Sequence, residues 1–284
     1  MGLMVTRGIT RSVGITHARI VCKVSPMPSA RIPDTVRRVF TEAFSARDIA
    51  EPLASFDAEA SAAHARDFME ARDFDVIGIR RDGLMAGYAE RRSLEGGACG
   101  EFRRPFADAI VLEDTAALVN VLLKLNQNPF AFITVLGQVG GIITRADLQK
   151  PAVRMWLFGI VTLIEMRFAE LIERHCPADT WKTHVSEARL QKAQALLEER
   201  SRRNQRLQLF DCLQFSDKGQ IVARLEDIRN QTIFASRSQA EAAVKNLEKL
   251  RNNLAHAQDI LATDWDTIVQ LCEFFQSSMA EGPT

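Results

Sequence analysis

Near its C-terminal end the sequence reads LRNNLAH, Leu250 to His256, within a stretch of helical apolar spacing. At about 100° per residue, Leu247, Leu250, Leu254, Ala257 and Leu261 gather into one core-facing stripe, while Asn252 and His256, four apart, share the opposite face. Arg251 lies on the flank between, with a side chain long enough to reach the His256 neighbourhood. A histidine placed in this way is not a core histidine of its own bundle. An imidazole, with an ordinary pKa near ~6.5, can accept and donate a proton around neutral pH. A guanidinium can hold a phosphate and stabilise charge developing on it. RNA supplies its own nucleophile in the 2′-OH, so these two groups are enough for cleavage without a metal. The plain alternative is a solvated polar face.

A second stretch of chemical interest, Gly141-Ile142-Ile143-Thr144-Arg145-Ala146-Asp147, reads as a strand running into a helix start. Such a junction offers free backbone N–H groups to an anion. Gly141 permits close approach, the Thr144 hydroxyl and Arg145 guanidinium add phosphate contacts, and the Asp147 carboxylate suits the paired hydroxyls of a ribose. The competing reading makes Thr144 an N-cap with Asp147 at its N3 position, a stabilising start signal and nothing more.

The elements that must position these residues fall into two halves. In the first, a pattern occurs twice: helix-like Asp57 to Arg72, strand DVIGIR, turn RDG and strand LMAGYAE; then DTAALVNVLLKLNQ from Asp114 to Gln127, strand FAFITVL, a glycine turn and VGGIITRADL. A short apolar segment precedes each copy, LASF at Leu53 and DAIVL at Asp108, and Gly87 and Gly141 fall at equivalent places. Asp114-Thr115 reads as the second helix's start. After Pro151 the pattern is helical: Met155 to Arg174 with a buried face, a charged helix from Ser186 to Leu209, then Asp217 to Ile228, Ser238 to Ala257 and Trp265 to Phe275. The division near Lys150 separates a segment 33–150 from an all-helical segment 151–284.

The doubled pattern ending in G-h-h-T-x-x-D resembles a tandem CBS (cystathionine β-synthase, Bateman) pair, over Pro33 to Gln149. The resemblance implies an α+β module that binds an adenine nucleotide (AMP, ADP or ATP) as a regulatory ligand through Gly141, Thr144, Arg145 and Asp147. The first copy departs from the pattern, with Glu90 in place of the Thr and Ser93 in place of the Asp. A carboxylate where a phosphate should lie is repulsive, so one good site is expected. The Arg251 to His256 spacing, with a polar Asn directly after the Arg, resembles the R-x4–6-H motif of HEPN (higher eukaryotes and prokaryotes nucleotide-binding) domains, over Met155 to Phe275. That resemblance implies an all-α bundle that dimerises to form a composite ribonuclease site. In it Arg251 contacts the scissile phosphate, Asn252 orients it, and His256 is the general acid/base.

Together these imply a homodimeric, metal-independent endoribonuclease with no catalytic cofactor, regulated by its nucleotide. Homodimerisation is expected through the helical domain, with the CBS pair as a second surface. The family also implies a toxin- or defence-like role, with an antitoxin-like protein as a further partner. The rival reading, from another class, is a non-catalytic nucleotide-sensing interaction protein. RNA phosphates would lie along Arg200, Arg202, Arg203 and Arg206, in a segment, Glu187 to Arg206, with six basic and three acidic residues; such a run is otherwise a solvated helix face.

Composition narrows the field. Lys plus Arg and Asp plus Glu both number 36, so polyanion affinity needs local clustering. The five cysteines are scattered and never spaced C-x-x-C, which reads as reduced cytosolic thiols. His64, His175 and His184 lack metal-ligand spacing, so no metal is assigned. Met155 to Ile164 is too short to span a bilayer, and a cytoplasmic protein is expected. Glu165, which ends that run, reads equally as a buried site carboxylate or an exposed edge. Residues 1–32, with their basic side chains and no acidic one, read as a disordered tail.

Overall fold

The computed structural model describes residues 38–40, 42–106 and 111–280. The N-terminal basic segment, Cys22 and the first part of DAIVL lie outside them. The two copies fold alike. The first runs β2 (Ser55–Asp57), α1 (Ala62–Arg72), β3 (Val76–Arg81) and β4 (Leu84–Glu90); the second runs β5 (Val111–Glu113), α2 (Leu118–Gln127), β6 (Phe130–Val135) and β7 (Gln138–Thr144). In each, the short leading strand pairs parallel with the first hairpin strand, and the hairpin is antiparallel. A parallel pair needs a crossover, which explains why a helix intervenes.

The equivalence extends to irregularities. Register slips between Ile79 and Arg80 in one hairpin and between Ile133 and Thr134 in the other, so that Gly87 faces Ile79 and Gly141 faces Ile133. Each hairpin turns through two residues of positive φ, Asp82-Gly83 and Leu136-Gly137, as a type I′ turn requires. A further short strand, β1 (Glu51–Pro52), pairs antiparallel with β7, so the sheets have orders β1-β7-β6-β5 and β2-β3-β4.

Beyond β7 the chain is helical: α3 (Pro151–His175), α4 (Glu187–Arg202), α5 (Phe215–Arg224), α6 (Glu226–Arg229), α7 (Arg237–Ala255) and α8 (Leu261–Ala280). Proline at the first position of α3 loses no hydrogen bond there. Its buried face includes Trp156, Leu157, Ile160, Val161 and Phe168, but Met155 and Phe158 are exposed. No helix among the described residues is long and apolar enough to cross a membrane.

Several boundaries differ from those expected. The second helix starts at Leu118 with Ala117 as its cap, because Asp114 belongs to the strand end, where its N–H donates to the Thr134 carbonyl. The charged helix stops at Arg202 rather than Leu209, since Asn204 adopts positive φ and closes it with paired backbone bonds from Asn204 and Gln205 to the carbonyls of Ser201 and Arg200. The expected helix over Asp217 to Ile228 divides at Leu225 into α5 and α6.

The change from sheet to helix at Pro151 is not a boundary between cores. Leu118, Leu122, Ile133 and Ile143 of the second copy share one apolar cluster with Leu157, Ile160, Phe168, Ile221, Leu250 and Cys272 of the helices. The first copy has its own cluster around Met69, Ile77 and Leu94. Leu53, Val76 and Phe132 join the two sheets, packed among Tyr88, Phe106 and Phe130.

Candidate nucleotide cleft and candidate catalytic face

A cleft of about 1450 Å³ opens between the two copies, where Glu90, Arg91 and Arg92 of one and Thr144, Arg145 and Asp147 of the other converge. Thr144 and Asp147 sit together as both readings of their spacing require. The Thr144 N–H and Oγ1 reach Asp147 Oδ2 at 2.7 and 3.0 Å, and Lys150 Nζ reaches Oδ1 at 2.9 Å. This is the carboxylate half of a capping box, Asp147 reaching back to the Thr144 N–H at the start of a short 3-10 turn over Arg145–Gln149. A carboxylate has about four lone-pair sites, so three partners leave capacity for a hydroxyl. Burial alone would lower the Lys150 ammonium, but hydrogen bonds to Glu51 and Asp147 and their charges hold it above its ordinary value.

Gly141 lies one strand deeper. A Cβ there would stand 3.2 Å from Ile133 and 3.4 Å from the Glu51 carbonyl, so the missing side chain makes room for β1. Arg145 lines the cleft with its guanidinium engaged: Nε donates to the Leu125 carbonyl at 3.1 Å, Nη2 to that of Asn126 at 3.4 Å, and Cζ lies 4.8 Å from the Trp265 ring centre. Trp265 in turn donates to Asn126 Oδ1 at 3.2 Å.

In the first copy, Glu90 is neutralised by Arg92 and by Arg104 at 2.6 Å. The Ser93 hydroxyl donates to the Glu90 carbonyl at 2.7 Å, and Arg91 is held by Asp73 and Asp75. The carboxylate there is thus clamped by arginines. Around the whole cleft four arginines face six carboxylates.

The polar residues of LRNNLAH lie at the C-terminal end of α7. Asn252 and His256 are exposed and Arg251 is half-buried, on a helix whose buried stripe is Ala240, Val244, Leu247, Leu250 and Leu254. Ala257 and Leu261 do not continue that stripe, because the helix ends at Ala255. His256 is its C-cap, and Ala257 turns the chain at φ 53°. The Ala257 N–H donates to Leu254 and that of Gln258 to Asn253, the Schellman pairing.

The polar neighbours of the motif are consumed structurally. Asn253 Nδ2 donates to Asp264 at 2.7 Å, Lys249 donates to the Thr263 carbonyl, and Gln149 to Asp259. Arg251, Asn252 and His256 make no side-chain hydrogen bond or ion pair among the described residues.

Arg200, Arg202, Arg203 and Arg206 are all exposed around the end of α4. Arg203 pairs with Glu199 at 2.7 Å and Arg200 donates to Gln205 at 3.2 Å. Glu165 pairs with Lys218 at 3.0 Å, between α3 and α5, and Lys218 also lies 5.7 Å from the Phe210 ring centre. His64 stacks edge-on to Phe56, and His175 contacts the Leu171 carbonyl and Gln231. Among the described residues no group of three metal-ligating side chains converges. Cys99, Cys176, Cys212 and Cys272 are buried free thiols. Sequence reasoning overlooked Arg154, Lys150 and Trp265, whose partners lie about 100 residues or more away along the chain, a separation at which no local pattern reports.

No protein-family profile matches the chain, and no curated protein matches it in sequence. Among solved structures, part of the chain is similar to the CBS-pair protein CBSX2 from Arabidopsis thaliana, at 15% identity and TM-score 0.35, over 39% of this chain and 96% of that one. It is also similar to the CBS domain of a bacterial CNNM/CorC family Mg2+ transporter in complex with ATP, at 14% and 0.34, over 42% and 93%. A third is a hemolysin-like protein containing a CBS domain from Oenococcus oeni, at 14% and 0.32, over 40% and 93%.

Proposed function

We propose that this chain is an endoribonuclease of the HEPN type whose activity is set by an adenine nucleotide in the cleft between its two CBS-like repeats. The observation that carries the nuclease reading is the contrast at the end of α7: among the described residues, Arg251, Asn252 and His256 make no side-chain hydrogen bond or ion pair, while Asn253, Lys249 and Asp259 beside them are all engaged. Support for the nucleotide reading comes from Thr144 and Asp147 meeting at the cleft, with the Asp147 carboxylate retaining acceptor capacity.

In the proposed reaction, the RNA 2′-OH attacks the adjacent phosphorus and the P–O5′ bond breaks. His256 takes the 2′-OH proton, and an imidazole returns one to the departing 5′-oxygen. Arg251 neutralises the charge gathering on the non-bridging oxygens, and the products are a 2′,3′-cyclic phosphate and a 5′-OH. One chain supplies one Arg and one His, so a second copy completes the site, the two histidines dividing the base and acid roles. Nucleotide and RNA binding are coupled reciprocally.

The test is incubation of the full-length protein with labelled RNA in EDTA, with and without AMP and ATP. Cleavage that resists EDTA and falls by about 10²–10⁴-fold in His256→Ala, with an unchanged circular dichroism spectrum, supports the enzyme. Absence of cleavage of varied RNAs with either nucleotide would leave the non-catalytic sensing protein as the reading.

A further inference from the structure

The segment leading out of the cleft meets the candidate catalytic face through the side chains of Arg154 and Gln149. Arg154, in the first turn of α3, donates from Nη2 to the carbonyls of Asn253 at 2.9 Å and Leu254 at 3.2 Å. Its Nη1 donates to the Gln258 carbonyl at 2.9 Å and to Gln149 Oε1 at 3.2 Å. The last carbonyls of a helix have no partner within it, and a guanidinium fork satisfies several at once in a fixed plane, as a lysine cannot. The carbonyls it grips flank His256 on both sides. They also hold the turn through Ala257, a residue at positive φ without glycine's freedom.

The other end of the connection is the candidate nucleotide turn. Thr144 and Asp147 close the turn over Arg145–Gln149, and the Lys150 N–H donates to the Asp147 carbonyl. The N–H groups of Val153 and Arg154 then donate to the Lys150 carbonyl as α3 begins. Gln149 ends that turn. It binds Arg154 through its oxygen and Asp259 through its nitrogen, and Asp259 accepts the Leu261 N–H at 2.8 Å at the start of α8. Eleven consecutive residues, 144–154, therefore run from the cleft to the backbone that carries His256.

We infer that Arg154 is a positioning residue that fixes the turn bearing His256 and transmits to it the state of the nucleotide-binding turn. The inference rests on the nucleotide reading above and does not require RNA cleavage. A ligand that orders Thr144 and Asp147 restrains Gln149 and the start of α3, and the Arg154 fork carries that restraint to residues 253–258.

Hydrogen exchange of the full-length protein, with AMP and with ATP, tests this, nucleotide binding being measured separately by calorimetry. Bound nucleotide is expected to slow exchange at 144–150 and, on the order of fivefold, at 253–260. Arg154→Ala is expected to keep binding and protection at 144–150 while losing the response at 253–260. Arg154→Lys, which keeps the charge without the fork, loses most of that response and serves if the alanine variant fails to fold. A merely structural arginine would leave the nucleotide dependence in place. Bound nucleotide with a silent 253–260 in the wild type, or an undiminished response in both variants, overturns the inference and leaves the nucleotide reading standing. Failure of AMP and ATP to bind the wild type overturns both.

Discussion

Ala257 shows how much one residue's backbone can fix. Its positive φ, one residue beyond the His256 cap, ends α7 at Ala255, and without that turn the helix would continue its stripe through Ala257. A Cβ in the left-handed region costs roughly 1–2 kcal/mol, partly offset because alanine has less unfolded-state freedom to lose than glycine. Ala257→Gly should therefore raise stability by about 0.5–1 kcal/mol, seen as a higher urea midpoint with an unchanged slope. The equivalent turn of α4 uses Asn204, a residue type that accepts this conformation more readily. Cys272 is the opposite kind of residue, wholly buried in α8, where burial and then the charge of Glu273 push its thiol up to about 12 from an ordinary 9.0. The folded state keeps this proton while the unfolded chain releases it, so the contribution is intact below pH 9.0 and is lost as pH rises towards 12. In that window it should fall by about 1.4 kcal/mol per pH unit. Comparing urea midpoints of wild type and Cys272→Val at pH 8 and pH 10 checks this: the variant should lose less stability on going to the higher pH.

At the scale of elements, the contact of α3 with α5 places charge inside a mostly apolar interface. Lys218 is buried and Glu165 is 22% exposed in its side chain, so the pair is partly screened. Removing one partner strands the other, at a cost below the ~3–5 kcal/mol of a fully buried pair. Glu165→Gln should thus destabilise by about 2 kcal/mol. Glu165→Leu with Lys218→Met, which removes both charges and keeps apolar volume, should cost less; chemical denaturation of the two variants decides the order. Between hairpins, the repeat was legible because each copy carries its own helix, strand and turn signals within about 35 residues. The parallel strands β2 and β5 were harder to read, since three residues give too short an alternation to register a period. Helix ends differ from the expected ones where no capping side chain marks them: α2 starts after Ala117 because Asp114 is held at the end of the strand, and α7 ends where Ala257 takes positive φ.

Across the whole molecule, zero net charge means that the RNA binding proposed above would have to rest on local clusters. Arg200, Arg202, Arg203 and Arg206 are exposed together at the end of α4, although Arg203 is shared with Glu199. If all four contact phosphates of a single strand, the logarithm of affinity should fall with the logarithm of salt at a slope of about −3. Glutamine at all four positions should flatten it, which filter binding at 50 to 300 mM salt would measure; an unchanged slope would assign RNA to another surface. The second copy shares its core with the helices, so the packing beneath that copy's side of the cleft is continuous with the helical half.

By itself the sequence determined the doubled α+β pattern, the change to helices at Pro151, the pairing of Thr144 with Asp147 and the solvent-facing placement of Asn252 and His256. All of these follow from periodicity or from side chains within four residues of one another, and local spacing fixes them. Only the tertiary structure decided that Arg145 turns to α2 and Trp265, that Gly141 makes room for β1, that the second copy and the helices share a core, and that Arg154 grips the turn around His256. Those contacts join residues far apart in the chain, and they depend on how helices and sheets pack, which no single segment encodes.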